Sequence, residues 1–171
     1  SKTYGWNSVI NRGMNLTKSF DGGYIGVGQN DLTDDSGDML IYKVDFEGNI
    51  EWSKTYQNTG GFQYSDIKPF IDSTYLIVTS SIKSGGGSYK TALIRIDASG
   101  DIIWSYLYAD GTYHDDGCDF IVNEDSTVTL IAENGIVGYD NTLYMLNINK
   151  QGTIGCNQYS LDYIVKDSTL D

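Results

Sequence analysis

The sequence predicts an all-β fold built from repeated antiparallel strands, and three observations support this. The segment 38–52 recurs at 90–104 and again at 141–156, with Gly48, Gly100 and Gly152 spaced by 52 residues. A fixed period of this size is typical of repeat architectures. With 14 Tyr, 20 Gly and one Pro, the composition suits short strands and tight turns. Helical periodicity is absent, so each repeat is predicted to form a sheet.

Each repeat divides into four strand-sized segments separated by turn signals. The segments are 14–20, 23–29, 39–45 and 50–56, then 65–71, 75–80, 91–97 and 102–108, then 118–123, 127–133, 143–149 and 154–159. Asp21-Gly22 and Glu47-Gly48-Asn49 have the composition of tight turns in the first repeat.

These segments divide the chain into three units with a short piece at each end. The units are 14–56, 57–108 and 109–160, preceded by the end of another unit and a linker at 1–13, and followed at 161–171 by a tail or the first strand of a further unit. The Ser-Lys-Thr-Tyr at 1–4 recurs at 53–56. We therefore expect the chain to begin inside a repeat and to be a piece of a larger protein.

Four antiparallel strands per repeat of about fifty residues fit the blade of a β-propeller. The sequence thus predicts a β-propeller segment of three four-stranded blades. Closed propellers have roughly four to eight blades, so we expect completion by further sequence or by a second copy. A β-trefoil, which also has three repeats of four strands, is the alternative.

The first repeat carries a resemblance to a known family. Asp21-Gly-Gly-Tyr-Ile-Gly-Val-Gly28, together with Gly48-Asn-Ile-Glu-Trp52, resembles the blade repeat of secreted bacterial β-propellers of the Bacteroidetes type, often linked to type IX secretion. The resemblance spans the chain but weakens in the second repeat, where Asp-Ser-Thr-Tyr at 72–75 replaces the Gly-Gly turn. It departs further in the third, where Cys156 replaces Trp. It implies a non-catalytic, secreted or cell-surface domain acting in binding, adhesion or display.

Charge and hydropathy restrict the partners. Eleven basic against 23 acidic residues give a net charge of −12, which disfavours nucleic acid and anionic lipid. No apolar run approaches the roughly 18 residues that cross a bilayer, so the chain is not expected to be membrane-embedded. We expect as partners other blades of the same protein, a second copy or an export or surface assembly, and glycans.

The third strand of each repeat shows a paired substitution. Lys43 with Asp45 in the first repeat becomes Arg95 with Asp97 in the second, and both charges are lost at 147 and 149 in the third. Residues two apart share a face of a strand. We therefore interpret each pair as a structural ion pair that is replaced as a unit.

Aromatic side chains in or near the loops form the candidate ligand-binding set, because they can stack on the apolar faces of sugar rings. The set is Trp6, Tyr64, Tyr89, Tyr113 and Tyr139. Packing between blades is the alternative role for these residues. The first alternative function is accordingly a carbohydrate-binding module.

Acidic residues concentrate in the first long loop and form the candidate metal site. They are Asp31, Asp34, Asp35 and Asp38. Calcium takes several oxygen ligands from a flexible loop, but the spacing is not that of a calcium hand, and Asp is common in turns. We expect no cofactor, with calcium as the alternative at this loop.

Catalytic patterns are weak. His114 is the single histidine and no nucleophile is marked out beside it, so no hydrolase triad is predicted. Abundant acids could form a glycosidase pair, but without any specific spacing, and a glycoside hydrolase is the second alternative. Cys118 and Cys156 are placed three strand spacings apart, beyond the roughly 7 Å reach of a disulfide. We expect free thiols and no enzyme.

The tripeptide Asp-Ser-Thr occurs at 72–74, 125–127 and 167–169. It resembles the acceptor for O-glycosylation of exported Bacteroidetes proteins, which implies sugar on Ser73, Ser126 or Ser168. The same tripeptide also favours a turn. Both interpretations remain open at this point.

Overall fold

The chain folds as antiparallel strands, which confirms the predicted all-β class. A computed structural model describes residues 2–3, 10–31, 37–57, 62–82, 88–108, 114–135, 142–155 and 158–169. The strands are β1 (Ile10–Lys18), β2 (Tyr24–Asp31), β3 (Asp38–Val44), β4 (Ile50–Gln57), β5 (Phe62–Pro69), β6 (Tyr75–Ile82), β7 (Tyr89–Ile96), β8 (Ile102–Tyr108), β9 (His114–Val122), β10 (Val128–Gly135), β11 (Thr142–Ile148), β12 (Gln158–Ser160) and β13 (Ile164–Asp167). The one helical element in these ranges is a 3₁₀ turn at Ile71–Ser73. No helix found there is long or apolar enough to span a membrane.

The strands form three sheets. The first sheet has the order β1-β2-β3-β4-β13, the second β5-β6-β7-β8-β12, and the third β9-β10-β11. Four consecutive strands of one repeat therefore lie side by side in each of the first two sheets. Within the described ranges none of the sheets closes on itself.

The second sheet lies between the other two and buries both of its faces. Ile77 and Ile94 belong to one core cluster with Ile41 of the first sheet. Leu76 belongs to another cluster, with Leu130 of the third sheet. Because neighbouring residues of a strand point to opposite faces, the continuous apolar runs of β6 and β7 supply both interfaces.

Successive sheets are locked together by an aromatic pair that packs under a glycine turn. The Tyr56 hydroxyl donates to the carbonyl oxygen of Gly100, and a Cβ on Gly100 would lie 2.9 Å from the Trp52 ring. Fifty-two residues later, the Tyr108 hydroxyl donates to the Gly152 carbonyl oxygen at 2.7 Å. Burial raises the pKa of both tyrosines. The 52-residue period thus corresponds to one repeated inter-sheet contact.

The predicted ion pair between Lys43 and Asp45 is wrong. The Lys43 ammonium instead hydrogen-bonds to Asp21 and Glu51. Asp45 Oδ1 accepts the backbone N–H groups of residues 47 and 49, at 2.9 and 2.8 Å. Its counterparts Asp97 and Asn149 cap their turns in the same way. An amide oxygen caps as well as a carboxylate, so position 149 tolerates Asn for a reason unrelated to position 147.

The fourth strand predicted at 154–159 does not form in the third sheet. Gln158–Ser160 pairs with β8 of the second sheet, and the following β13 pairs with β4 of the first. The C-terminal segment thus runs back along the outer edges of both sheets. Ser105 and Ser53, which are 52 residues apart, each donate a hydroxyl hydrogen bond to this segment, at the carbonyl oxygens of Leu161 and Ser168. Two sheet edges are covered by the chain itself, which limits edge-to-edge association.

Candidate functional site

The two ends of the sheets differ in their connections. At the turn end, the connections are tight hairpin turns, with Gly22, Gly48, Gly100 and Gly152 at positive φ. At the loop end, six residues join β2 to β3, β6 to β7 and β10 to β11, while four residues join β4 to β5 and five join β8 to β9. Most of the sequence-predicted site residues belong to the loop end, so it is the first candidate surface.

Of the five predicted ligand-binding aromatics, the structure describes the side chain of one. Tyr89 opens β7 opposite Ile82 and is half-buried. Tyr64 lies in β5, but its side chain is outside the described part, as are residues Trp6, Tyr113 and Tyr139 entirely. The structure therefore places two of these positions in the loop half of the second sheet, on strands β5 and β7 with β6 between them, and leaves the set a prediction.

Of the four predicted metal ligands, Asp38 is described. It opens β3, and its Oδ2 accepts a hydrogen bond from Gln57 Nε2 at 2.6 Å. Asp31 ends β2 with its side chain outside the described part, and Asp34 and Asp35 lie outside it. No group of three or more His, Cys, Asp or Glu side chains lies together among the described residues. The calcium site stays a prediction.

A layer of buried polar side chains lies beneath the loop end. Gln29 Nε2 donates to the carbonyl oxygen of Phe62 at 2.9 Å, which joins the first sheet to the second. Ser65 Oγ donates to Thr79 Oγ1 at 3.0 Å. These bonds are buried, and buried hydrogen-bond networks of this kind rigidify the strands that carry them. The strands that lead to the loop end are therefore rigid.

The edge strands β1, β5 and β9, each the first strand of its sheet, carry a second candidate, which we call the inner row: Asn15, Asp66, Lys68 and Asp119. Asn15 Nδ2 donates to Asp66 Oδ1, and Lys68 Nζ contacts both Asp66, at 2.9 Å, and Asp119. The row thus links all three sheets. The hydrogen bond from Lys68 lowers the pKa of Asp119.

The electrostatics of the inner row favour a structural role with one accessible carboxylate. Lys68 also lies over the Phe120 ring at 4.6 Å from its centroid. Burial alone would lower the pKa of Lys68, but its bonds to Asp119 and Asp66 outweigh burial and the pKa is raised. The Asp119 side chain remains 63% exposed. The row can accept a hydrogen bond or bind a cationic group there.

Each of the strands β1, β5 and β9 also has a β-bulge. The pairing with the next strand skips Met14 in β1, Tyr64 in β5 and Cys118 in β9. Bulges are frequent beside functional sites because they redirect a side chain. Two residues singled out in the sequence, Tyr64 and Cys118, therefore occupy comparable places in consecutive sheets.

The three Asp-Ser-Thr segments lie in two different environments. Ser73 and Ser126 have φ of 57° and 65° and lie in hairpin turns, where Ser73 is exposed. Ser168 follows β13, and its Oγ is buried without a hydrogen-bond partner. The turn interpretation describes 72–74 and 125–127, whereas 167–169 ends a strand. Glycosylation of the three serines stays a prediction.

Sequence reasoning missed the inner row. Its Asx members lie opposite Val27, Val78 and Ile131, which are equivalent positions of the second strand in each repeat. The recurrence of Asn or Asp at 15, 66 and 119 was a readable signal. It was hidden because the spacings, unlike those of Gly48, Gly100 and Gly152, are not constant.

His114 opens β9 and Cys118 lies within it, with both side chains outside the described part, and Cys156 lies outside it altogether. The expectations of a solvated histidine and free thiols therefore stay predictions. Comparison with protein families, with curated proteins and with solved structures found no match.

Proposed function

We propose that the three sheets are blades of a β-propeller and that the chain is a non-catalytic, secreted or surface-displayed binding module, with the loop end as its contact surface. The observation that carries the proposal is the contrast between the two ends. At the turn end the same side-chain-capped turn recurs at 45–49, 97–101 and 149–153, whereas the three six-residue connections at the loop end differ in sequence. The β2–β3, β6–β7 and β10–β11 connections are Leu-Thr-Asp-Asp-Ser-Gly, Lys-Ser-Gly-Gly-Gly-Ser and Ile-Val-Gly-Tyr-Asp-Asn.

Several features support this division of roles. Binding residues are commonly carried on loops that a rigid scaffold positions. The inter-sheet locks and the buried polar layer provide such a scaffold. The net charge of −12 favours neutral or cationic partners. The resemblance of the first repeat to secreted propellers supports the extracellular location.

The experiment is a retention assay of the 171-residue chain on two probes, a printed array of neutral glycans and an immobilised oligo-lysine peptide. One variant replaces residues 136–141, which include Tyr139, with a Gly-Ser connection of equal length. The matched control, Phe46→Ser, changes an exposed residue at the turn end. We expect retention on at least one probe, a loss of at least about tenfold in the loop variant, and no change in the control.

Two results would overturn the proposal. One is retention that survives replacement of all the loop-end connections. The other is hydrolysis of a bound glycan that a single Asp→Asn substitution abolishes, which would favour the glycoside hydrolase alternative.

A further inference from the structure

We propose that the outer face of the third sheet is a docking surface for the first sheet of a second copy of this chain, so that two chains close into a ring of six sheets. This inference uses the blade arrangement proposed above but not the binding role of the loop end. The docking face consists of Ile121, Ile131, Leu143 and Met145.

The docking face continues an interface that the chain already makes twice. Leu143 and Met145 are 70% and 69% exposed. The residues 52 positions earlier, Thr91 and Leu93, are completely buried in the second sheet. Leu93 packs in the cluster that joins the second sheet to the third. The docking face of the third sheet is therefore equivalent to the face of the second sheet that packs on the third, but no described sheet packs against it.

The first sheet presents the complementary face. In the second sheet, Ile67 and Tyr75 are 1% exposed because they pack against the first sheet. The residues in the same register of the first sheet are Leu16 and Tyr24, which are 56% and 36% exposed. The first sheet therefore has exposed apolar side chains on the face that corresponds to the buried, first-sheet-facing side of the second sheet.

A contact at the N-terminus indicates where a preceding sheet would lie. Lys2 Nζ donates to Asn49 Oδ1 at 2.6 Å, and Lys54 Nζ donates to Asp101 Oδ1 at 2.7 Å. Each partner of the second bond is 52 residues after its counterpart in the first. Lys54 belongs to β4, the fourth strand of the sheet that precedes Asp101. Lys2 therefore occupies the position of the fourth strand of a sheet that precedes the first one.

The third sheet has three described strands, and the N-terminal segment has the sequence of a fourth. Residues 1–4 repeat the Ser-Lys-Thr-Tyr of β4. In the first sheet, Lys54 pairs with Ile41 of β3. In the same register, Lys2 of the second copy lies opposite Met145 of β11. Docking would place residues 1–4 of one copy beside β11 of the other as the two faces come together. The resulting six sheets fall within the range of roughly four to eight blades in closed propellers.

Sedimentation velocity on the 171-residue chain tests the proposal. We expect a dissociable species of twice the 18.9 kDa chain mass at micromolar concentration. Met145→Lys places a second positive charge opposite Lys2 in the interface and should raise the dissociation constant about 100-fold or more, because burial of an unpaired charge is costly and like charges across strands repel. Since Met145 is exposed in the single chain, the variant should fold, which far-ultraviolet circular dichroism checks. Ile103→Glu, at a site that is 48% exposed in β8 of the second sheet and away from both docking faces, should leave the mass unchanged.

A second variant, in the N-terminal segment, tests the same interface independently. Lys2→Glu should weaken the pair while the four apolar residues of the docking face stay unchanged. A monomer at about 100 μM, a series of ever larger species, or a pair that both Met145→Lys and Lys2→Glu leave intact would each overturn the proposal. A monomer that still binds through its loop end would overturn the pairing alone and leave the proposed function standing.

Discussion

The second and third sheets have the same repeat pattern but different surroundings. Leu93 in β7 and Met145 in β11 occupy equivalent positions, yet the first is completely buried and the second is 69% exposed. The difference arises because the second sheet has a neighbour on both faces. The energetic role of a residue in this chain therefore depends on the place of its sheet in the stack as well as on its own repeat.

The largest expected difference between the two sheets comes from truncating the side chains at these two equivalent positions. Leu93→Ala should lower the free energy of unfolding by about 2–5 kcal/mol, because it removes buried methyl groups and leaves a cavity. Met145→Ala should change it by less than about 0.5 kcal/mol in dilute solution, where the chain is single. Urea unfolding measures both. Equal losses would contradict the stacking order.

The next effect concerns the glycine turn that packs over Trp52. Gly100 has φ +81° and a Cβ there would meet the indole ring at 2.9 Å, whereas Gly22, with φ +96°, has nothing within 4 Å. Gly22→Ala should cost about 1–2 kcal/mol from left-handed backbone alone. Gly100→Ala should cost about 1–3 kcal/mol more, because the neighbouring sheet must shift. Thermal unfolding of the two variants side by side measures the difference, and similar losses would argue against the lock.

A smaller effect is expected where the second sheet holds the third. Tyr108→Phe removes the hydrogen bond to the Gly152 carbonyl oxygen and should destabilise the chain by about 1–2 kcal/mol, since a buried acceptor loses its partner. Tyr24→Phe, at a tyrosine that is 36% exposed, serves as the control and should have less than about 0.5 kcal/mol of effect. Chemical denaturation is again the measurement. No difference between the two variants would show that the hydroxyl contributes nothing to the lock.

The smallest effect is a pH dependence that arises from the Lys43 contacts of the first sheet, which have no counterpart among the described residues of the third sheet. Hydrogen bonds from Lys43 and Ser19 lower the pKa of Asp21 from 3.8 to about 2. Because the folded pKa is depressed, this stabilisation is present above about pH 4 and is lost as the pH falls toward 2. The equivalent of Lys43 in the third sheet is Asn147.

Asp21→Asn should therefore be less stable than the parent chain at pH 7 and equally stable near pH 2. The effect should stay below about 1 kcal/mol because Asp21 is largely exposed to solvent. Glu47→Gln, which leaves the Lys43 contacts intact, is the matched control. A constant gap between Asp21→Asn and the parent across this pH range would rule out the ion pair as its source.

The sequence predicted the strands well wherever local pattern decided them. The 52-residue period, the turn glycines and alternating apolar residues located β2, β3, β4, β6, β7 and β8 to within two residues of their ends. The pairing of the C-terminal segment was missed because it joins residues far apart in sequence. Strand β13 pairs with β4 more than a hundred residues away, and no local pattern marks that.

Side-chain partners were harder to predict than strands. Lys43 and Asp45 share a strand face, but the cross-strand neighbours Asp21 and Glu51 are closer to the ammonium group once the hairpins form. The inner row was missed for a similar reason, since bulges alter its spacing. The inner row becomes apparent only from the pairing register of β1, β5 and β9 with the strands that follow them.

Residue-resolved hydrogen exchange on the Met145→Lys variant, which we expect to remain a single chain, tests the stacking order most directly. The account predicts the slowest exchange in β6 and β7, intermediate rates in β3 and β4, and the fastest exchange among the long strands in β11. Protection that is equal in β7 and β11, or highest in the third sheet, would contradict the central position of the second sheet.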